Sequence, residues 1–447
     1  MDMGIAGNFQ VVVLLGGEGT RLREVEPYLP KAMVDVHGRP FFFYQLELMR
    51  TRGFRRFLFC IGYGGARIRD YFGDGSDYGV EIAYSSDGER LLGTGGALRN
   101  ALDLLDRSFL VIYGDSYMNI DYDELIYFYQ KERKRGRKAL MAVYRNQGLY
   151  DQSNVIFRSG EVVRYDKRKP TPEMDFIDYG VTVMERSVIE ALPENRHIDL
   201  SDIYGQLAEQ GILAGYEVRR RFYEIGRPES LAEFKEFMAR RLAGQPAIFL
   251  DRDGTLNEIA YNEDTELPDS PLKPHQLRLL PGVPEALKTL KELGYLLIVI
   301  TNQPAAAKGK ATLANLYEVN NRLLDLLAER GVELDGVLIC PHHPVGASTC
   351  KEKHLIAECD CRKPKPGLFL RAVQEFKPDL ANSYAVGDSH VDILAGRAIG
   401  VTCVLIGAYK CDTCRMLEFR SPDLVFDSLV DFARHLERER EVNHALD

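Results

Sequence analysis

The chain has no apolar run near the ~20 residues needed to span a bilayer, and its N-terminus lacks a basic-then-apolar signal pattern. Internal repeats and low-complexity segments are also missing. It has no surplus of positive charge: the formal net charge is −9 and the pI about 5.6, which argues against a general nucleic-acid binder. The basic run Lys131 to Lys138 has no interleaved aromatics and reads as a solvated helix end and turn. The eight cysteines do not look like a disulfide framework, because four fall in a metal-like cluster. The expectation is a cytoplasmic, reduced protein with neither membrane nor nucleic acid as partner. A homo-oligomer stays open. A length of 447 residues predicts two or three domains, and 45% hydrophobic content suffices for their cores.

What the chain does have is chemistry at strand tips. Ala247-Ile248-Phe249-Leu250 reads as a buried strand, and Asp251-Arg252-Asp253-Gly254-Thr255 follows it directly. An Asp-x-Asp pair alone is usually a solvated turn. At a rigid strand tip, however, Asp251 could attack phosphorus and become an aspartyl phosphate. Asp253 could give the leaving oxygen a proton and later take one back from water. Two adjacent anions need a divalent cation and a fixed positive charge to meet a phosphate. Gly254 lets the chain turn without a side chain in the pocket.

The remaining parts of such a site come in order downstream. A strand over Tyr295–Ile300 ends in the donors Thr301 and Asn302. Arg362 and Lys363 supply cations. A strand over Tyr384–Val386 ends in Gly387-Asp388, with Asp392 four residues on. Asp388 would join Asp251 and Asp253 around Mg²⁺, which prefers carboxylate and water oxygens. Order and wording resemble the haloacid-dehalogenase-like phosphatases.

A narrower resemblance lies in Cys340-Pro341-His342-His343-Pro344 and Cys359-Asp360-Cys361-Arg362-Lys363-Pro364. These look like the zinc loop of the D-glycero-D-manno-heptose-1,7-bisphosphate phosphatases and their histidinol-phosphatase relatives. Cys340, His342, Cys359 and Cys361 make a Cys₃His set suited to a closed, structural zinc. Reduced surface cysteines or a redox pair are the plainer alternatives. The loop is longer than is usual in that family and holds Cys350 and His354, so a ligand swap to His343 or Cys350 stays open. Cys411-x-x-Cys414 has zinc or redox spacing but stands alone and is unassigned.

A second system opens the chain. The strand-like run Val11–Leu15 leads into Gly16-Gly17-Glu18-Gly19-Thr20-Arg21-Leu22, with Pro30-Lys31 beyond. A glycine turn after a first strand lets backbone N–H groups close on a triphosphate. Arg21 and Lys31 would neutralise it and stabilise departing pyrophosphate. The string resembles the sugar-1-phosphate nucleotidylyltransferases, differing by Leu15 where that family usually has Ala. Under that resemblance Gly16, Gly17, Gly19, Thr20 and Gly95 bind the nucleotide, Lys167 grips the sugar phosphate and Asp178 meets the sugar. Asp115 and Glu224 would hold a second Mg²⁺, Glu224 standing where many members have Asp.

Two α/β domains with mainly parallel, Rossmann-like sheets follow from these strand–helix alternations. The amphipathic stretch 228–243, with Leu231, Phe234, Phe237, Met238 and Leu242 on its apolar face, is broken by Gly244-Gln245-Pro246. The expected domains are 1–244 and 245–447. The resemblances span roughly 8–240 and 247–410. Together they imply removal of the C7 phosphate from a heptose 1,7-bisphosphate, then transfer of a nucleoside monophosphate to heptose 1-phosphate. The substrates would be a nucleoside triphosphate and sugar phosphates, with GTP favoured by analogy to heptose-1-phosphate guanylyltransferases. Pro304-Ala305, where heptose phosphatases tend to carry Ser-Gly, keeps open a mannose or N-acetylmuramic acid phosphate. A domain retained only for binding or regulation is the other rival.

Overall fold

The computed structural model describes residues 5–17, 29–88, 91–146, 148, 150–262, 267–407 and 421–444. Arg21, Gly19 and Thr20, and likewise Cys411 and Cys414, lie outside the described residues. The chain divides into two compact units, Met3–Ala239 and Arg240–Asp447. The division falls inside the helix Pro228–Leu242, a little before the break expected at Gly244.

The first unit is built on a nine-stranded sheet. The strand Gln10–Leu14 pairs in parallel with Arg56–Ile61 on one side and Ser108–Tyr113 on the other. Glu81–Ser86 extends the parallel set. All five residues of Gln10–Leu14 are buried, as expected for a parallel strand covered on both faces. Val11 and Val13 pack with Phe42, Leu46 and Met49 of the helix Phe41–Thr51. Val12 and Leu14 pack on the opposite face with Leu98, Leu200 and Leu207.

Beyond Ser108–Tyr113 the sheet becomes mixed. Phe176–Glu185 runs antiparallel to both of its neighbours, Ser108–Tyr113 and Ala139–Arg145. The strand that precedes it in the chain, Glu161–Tyr165, lies elsewhere in the sheet. Its direction is set by pairing with strands that do not adjoin it in the chain, a feature that strand composition does not reveal.

The second unit has a six-stranded, wholly parallel sheet. Ala247–Leu250 lies in the middle, between Leu296–Asn302 and Tyr384–Gly387. Its alternate residues face two different cores. Ile248 and Leu250 meet Leu287, Leu290 and Phe432. Ala247 and Phe249 meet Phe369, Phe376 and Ile393. Burial of one such Leu or Phe contributes about 1.5–3 kcal/mol, so this strand is firmly anchored and its tip is fixed. In the helix Pro228–Leu242, Leu231, Phe234 and Met238 are buried. Leu242 was expected on the same face, but it is the last residue of the helix and is 46% exposed.

Candidate functional sites

In a parallel sheet all strand tips of one sense lie at one edge, which gathers residues far apart in sequence. In the second unit Asp251 follows the central strand, and its N–H donates to the Val386 carbonyl at 2.8 Å. Lys363 Nζ lies 2.7 Å from Asp251 Oδ1 and 2.5 Å from Asp392 Oδ1, and it donates to the Ile300 carbonyl at 2.6 Å. Lys363 is only 3% exposed. Burial pulls its pKa down, but Asp251 and Asp392 outweigh this and hold it above the usual lysine range. Burial pushes the Asp251 carboxyl up against the pull of Lys363.

Local motifs set this geometry. Ser389 caps the helix His390–Arg397, with its Oγ and N–H both donating to Asp392 Oδ2, at 2.9 and 3.2 Å. That reciprocal cap fixes Asp392 so that its other oxygen meets Lys363. Asn302 grips the Lys363 backbone on both sides: its Nδ2 donates to the carbonyl at 3.1 Å and its Oδ1 accepts from the N–H at 3.0 Å. The amide expected to meet phosphate is thus engaged in holding Lys363. Thr301 Oγ1 accepts from Gln303 Nε2 at 2.9 Å and is buried.

One oxygen each of Asp251, Asp388 and Asp392 lie within 4.8 Å of one another. Three carboxylates around one ammonium leave surplus negative charge, and hard oxygen donors in this number fit Mg²⁺. The Asp253 carboxylate, expected among the metal ligands, is not in this cluster. Both its oxygens are taken: Arg252 Nε and Asn257 Nδ2 donate to Oδ1 at 3.0 and 2.9 Å, and Arg252 Nη2 and Gln303 Nε2 to Oδ2 at 3.0 and 2.7 Å. Burial pushes Asp253 up, yet Arg252 and the two amides outweigh it and leave the acid below its usual range. Arg252 is itself fully buried and donates to Asn320 Oδ1 at 2.7 Å. Sequence reading passed over Arg252, Asn257 and Gln303. The charge of Arg252 inside the Asp-x-Asp motif was the available signal.

Cys340, His342, Cys359 and Cys361 converge as expected. Sulfur separations are 3.6 Å for Cys340–Cys359, 3.1 Å for Cys340–Cys361 and 3.3 Å for Cys359–Cys361, and His342 Nδ1 is 3.2 Å from Cys361 Sγ. A tetrahedron with Zn–S of about 2.3 Å has edges of about 3.8 Å, so four soft ligands are in place for one zinc. The alternatives do not join them: His343 turns its Nδ1 to the backbone of Val345, and buried Cys350 packs under Gly309. Arg362, directly after the last ligand, keeps Nη1 buried without a hydrogen-bond partner among the described residues. It also helps to depress the Lys308 pKa, after burial and ahead of Lys310, so these three cations are neighbours.

In the first unit a cleft of about 350 Å³ opens at the tip of Gln10–Leu14. Gly16, Gly17, Lys31 and Asp115 line it. Lys31 Nζ pairs with Asp115 Oδ2 at 2.7 Å. A two-residue ladder, Tyr223–Glu224 against Ser116–Tyr117, brings Glu224 beside Asp115. Burial raises the Glu224 pKa, Asp115 adds to it, and Lys31 and Lys167 oppose it. Asp178 is pushed up to about 6 by burial, against its bonds from Gly180 and the charge of Lys167. Lys31, Asp115, Glu224, Lys167 and Asp178 therefore form one charged neighbourhood. Gly93 and Thr94 line the cleft. Gly95 faces away, donating its N–H to the Ile198 carbonyl, and a Cβ there would strike Ile203. Leu15 is buried over Gly114, where an added Cβ would sit 2.2 Å from its Cδ2. Asp87, His197 and Asp199 also line the cleft and were not singled out from sequence.

A nucleotidyl transferase family model matches residues 10–241, and a haloacid dehalogenase-like hydrolase model matches residues 182–400. The D-glycero-beta-D-manno-heptose-1,7-bisphosphate 7-phosphatase of Haemophilus ducreyi is 38% identical over 195 residues, covering 43% of this chain and 99% of that protein. The Haemophilus influenzae protein of the same name is 39% identical, covering 43% and 97%. Among solved structures, HddC from Yersinia pseudotuberculosis is 25% identical with a TM-score of 0.45, covering 52% of this chain and 99% of that one. The chain is therefore a two-part enzyme that belongs to the nucleotidyl transferase family in its N-terminal half and, in its C-terminal half, to the haloacid dehalogenase-like hydrolases together with the heptose-bisphosphate 7-phosphatases.

Proposed function

We propose that the chain carries out two consecutive steps of nucleotide-activated heptose synthesis. The C-terminal part, 245–447, would release the C7 phosphate of D-glycero-D-manno-heptose 1,7-bisphosphate. The N-terminal part, 1–244, would transfer a nucleoside monophosphate to the resulting heptose 1-phosphate. The observation that carries the reading is the Asp251–Lys363–Asp392 constellation, in a segment whose relatives are heptose-bisphosphate 7-phosphatases. Two enzymes in one chain that act on one sugar in sequence raise the local concentration of the shared intermediate. A cytoplasmic site of action fits: among the described residues no helix is long and apolar enough to cross a membrane.

In the first step an Asp251 oxygen attacks phosphorus and the bond from phosphorus to the sugar oxygen breaks. Asp253 gives that oxygen its proton. Arg252 opposes protonation of Asp253, so the proton is best held once the substrate's own negative charge lies beside it. Water then attacks the aspartyl phosphate, returns a proton to Asp253 and frees Asp251. Lys363 neutralises charge throughout. Mg²⁺ on Asp251, Asp388 and Asp392 would supply further neutralisation of the phosphoryl oxygens. Arg362, whose buried Nη1 has no hydrogen-bond partner among the described residues, with Lys308 and Lys310 beside it, suits the second phosphate of a bisphosphate. Zinc on the Cys₃His set would hold the loop that presents Arg362 and Lys363.

In the transferase a sugar-phosphate oxygen attacks the α-phosphorus in line, and pyrophosphate leaves. Catalysis there rests on positioning and charge, with no protein nucleophile. Lys31 and the backbone of Gly16 and Gly17 would meet the triphosphate, together with Arg21, Gly19 and Thr20, while Lys167 and Asp178 would meet the sugar phosphate. Asp115 and Glu224 are the carboxylates that would hold Mg²⁺ between the two substrates. The test is a panel of the four common nucleoside triphosphates against several sugar 1-phosphates, read as pyrophosphate, with phosphate release measured on the matching bisphosphates. Turnover confined to a non-heptose sugar would reject the heptose reading. Binding without turnover would reject transfer.

A further inference from the structure

Two carboxylates lining the first-unit cleft, Asp87 and Asp199, are used neither by the metal pair nor by the sugar phosphate, and Asp87 is the one beside the glycine turn. Asp87 follows the strand Glu81–Ser86, and its N–H donates to the Ile61 carbonyl at 3.1 Å, which fixes the residue at the cleft wall. Its Oδ2 accepts from the Leu92 N–H at 3.3 Å. Its Oδ1 has no donor among the described residues. The carboxylate also stands beside the glycine turn: a Cβ placed on Gly16 would come within 3.8 Å of Asp87 Oδ2. Apolar surface from Leu14, Leu91 and Ala97 completes this part of the cleft. Apolar lining with a small number of placed polar groups is the usual form of a small-molecule pocket.

An ionised carboxylate only accepts hydrogen bonds. It therefore suits a base edge that presents two adjacent donors. Guanine does so, with N1–H beside the N2 amino group. Adenine and cytosine each offer one amino group next to an acceptor nitrogen. Uracil and thymine place a single N–H between two carbonyl oxygens that an anion would repel. We propose that Asp87 selects the base, accepting from guanine N1–H and N2–H with its two oxygens, and so makes the transferase specific for guanine nucleotides. This rests on the nucleotidyl-transfer reading of the same cleft.

The test uses the full chain and equilibrium binding in Mg²⁺, so it needs no sugar substrate. Wild-type protein should bind GTP more tightly than ATP, CTP or UTP. It should bind ITP, which lacks the N2 amino group, about tenfold more weakly than GTP, since a charge-assisted bond is lost. Asp87→Asn should lose GTP affinity by at least about tenfold and gain XTP affinity, because the amide can accept from xanthine N1–H and donate to the C2 oxygen. A merely structural role for Asp87 would not produce that gain. Equal GTP and ITP affinity in the wild type, or tighter binding of any other common nucleotide, overturns the assignment even if the variant fails to fold. An unchanged preference in a folded Asp87→Asn does the same. The predicted GTP, ITP and XTP pattern without turnover of heptose 1-phosphate would uphold the assignment and reject only the sugar. Failure to bind any nucleoside triphosphate would overturn both.

Discussion

At the scale of single residues, the phosphatase site depends on how few charges do more than one task. Lys363 bridges Asp251 and Asp392, while Asp253 is held ionised by its own neighbour Arg252. Asp251→Asn should therefore abolish phosphate release by several orders of magnitude while leaving nucleotidyl transfer unchanged. Residual phosphatase near the wild-type rate would remove Asp251 from the mechanism. Asp178 gives a test by pH. Its folded pKa, about 6, lies above the ordinary 3.8 because of burial. Below about pH 4 the acid is protonated in both folded and unfolded states and costs nothing. Between about 4 and 6 only the unfolded chain releases the proton, so stability falls as pH rises, by at most about 3 kcal/mol. Above 6 the penalty stays. Asp178→Asn should remove that fall, so the melting temperature of the variant minus that of the wild type should grow from pH 4 to pH 6 and then level off. A flat difference would show that Asp178 titrates normally.

At the scale of elements, the phosphatase site rests on a turn that leaves no room for a Cβ. Gly254 has φ +86°, and an added Cβ would lie 1.9 Å from Asp388 Oδ2. Backbone strain and collision thus act together at one position of the strand-to-turn segment after Ala247–Leu250. Gly254→Ala should move Asp388 or the turn and lower phosphate release about 100-fold, with nucleotidyl transfer intact. Phosphate release within a few-fold of wild type would mean that the turn relaxes without disturbing Asp388. The helix His390–Arg397 shows a second kind of control by an element. Its Ser389–Asp392 cap is a common helix start, yet it also orients a carboxylate at the site.

At the scale of the whole molecule, two compact units each enclose their own cores. A structural zinc in the second unit should then influence only that unit. Purified protein should contain about one zinc per chain. Chelation should lower the unfolding temperature of the phosphatase unit first, because zinc binding contributes directly to folding. Metal analysis that finds no zinc, with phosphatase stability indifferent to chelator, would reject the Cys₃His assignment. Cys361→Ser should give the same selective loss.

The sequence by itself determined the strand tips and what they carry: Asp251 after Ala247–Leu250, Asp388 after Tyr384–Gly387, Lys31 beyond the glycine turn, and the spacing of the four soft ligands. These are legible because apolar strands, glycine turns and metal pairs are local patterns, written within a few residues. The tertiary structure decided what those tips meet. Asp251 and Lys363 are 112 positions apart, and only the alignment of parallel strands brings them to 2.7 Å. The same alignment chose Asp392 over Asp253 for the acidic cluster, because Arg252 folds back onto the nearer carboxylate. It left Asp87 on the wall of the nucleotide cleft, where nothing in its own segment marks it. The antiparallel strand Phe176–Glu185 is a further case, since its direction depends on pairing with Ser108–Tyr113 and Ala139–Arg145, far back in the chain. Contacts between distant segments are set by packing, and packing is a property of the folded chain that no short window of sequence contains.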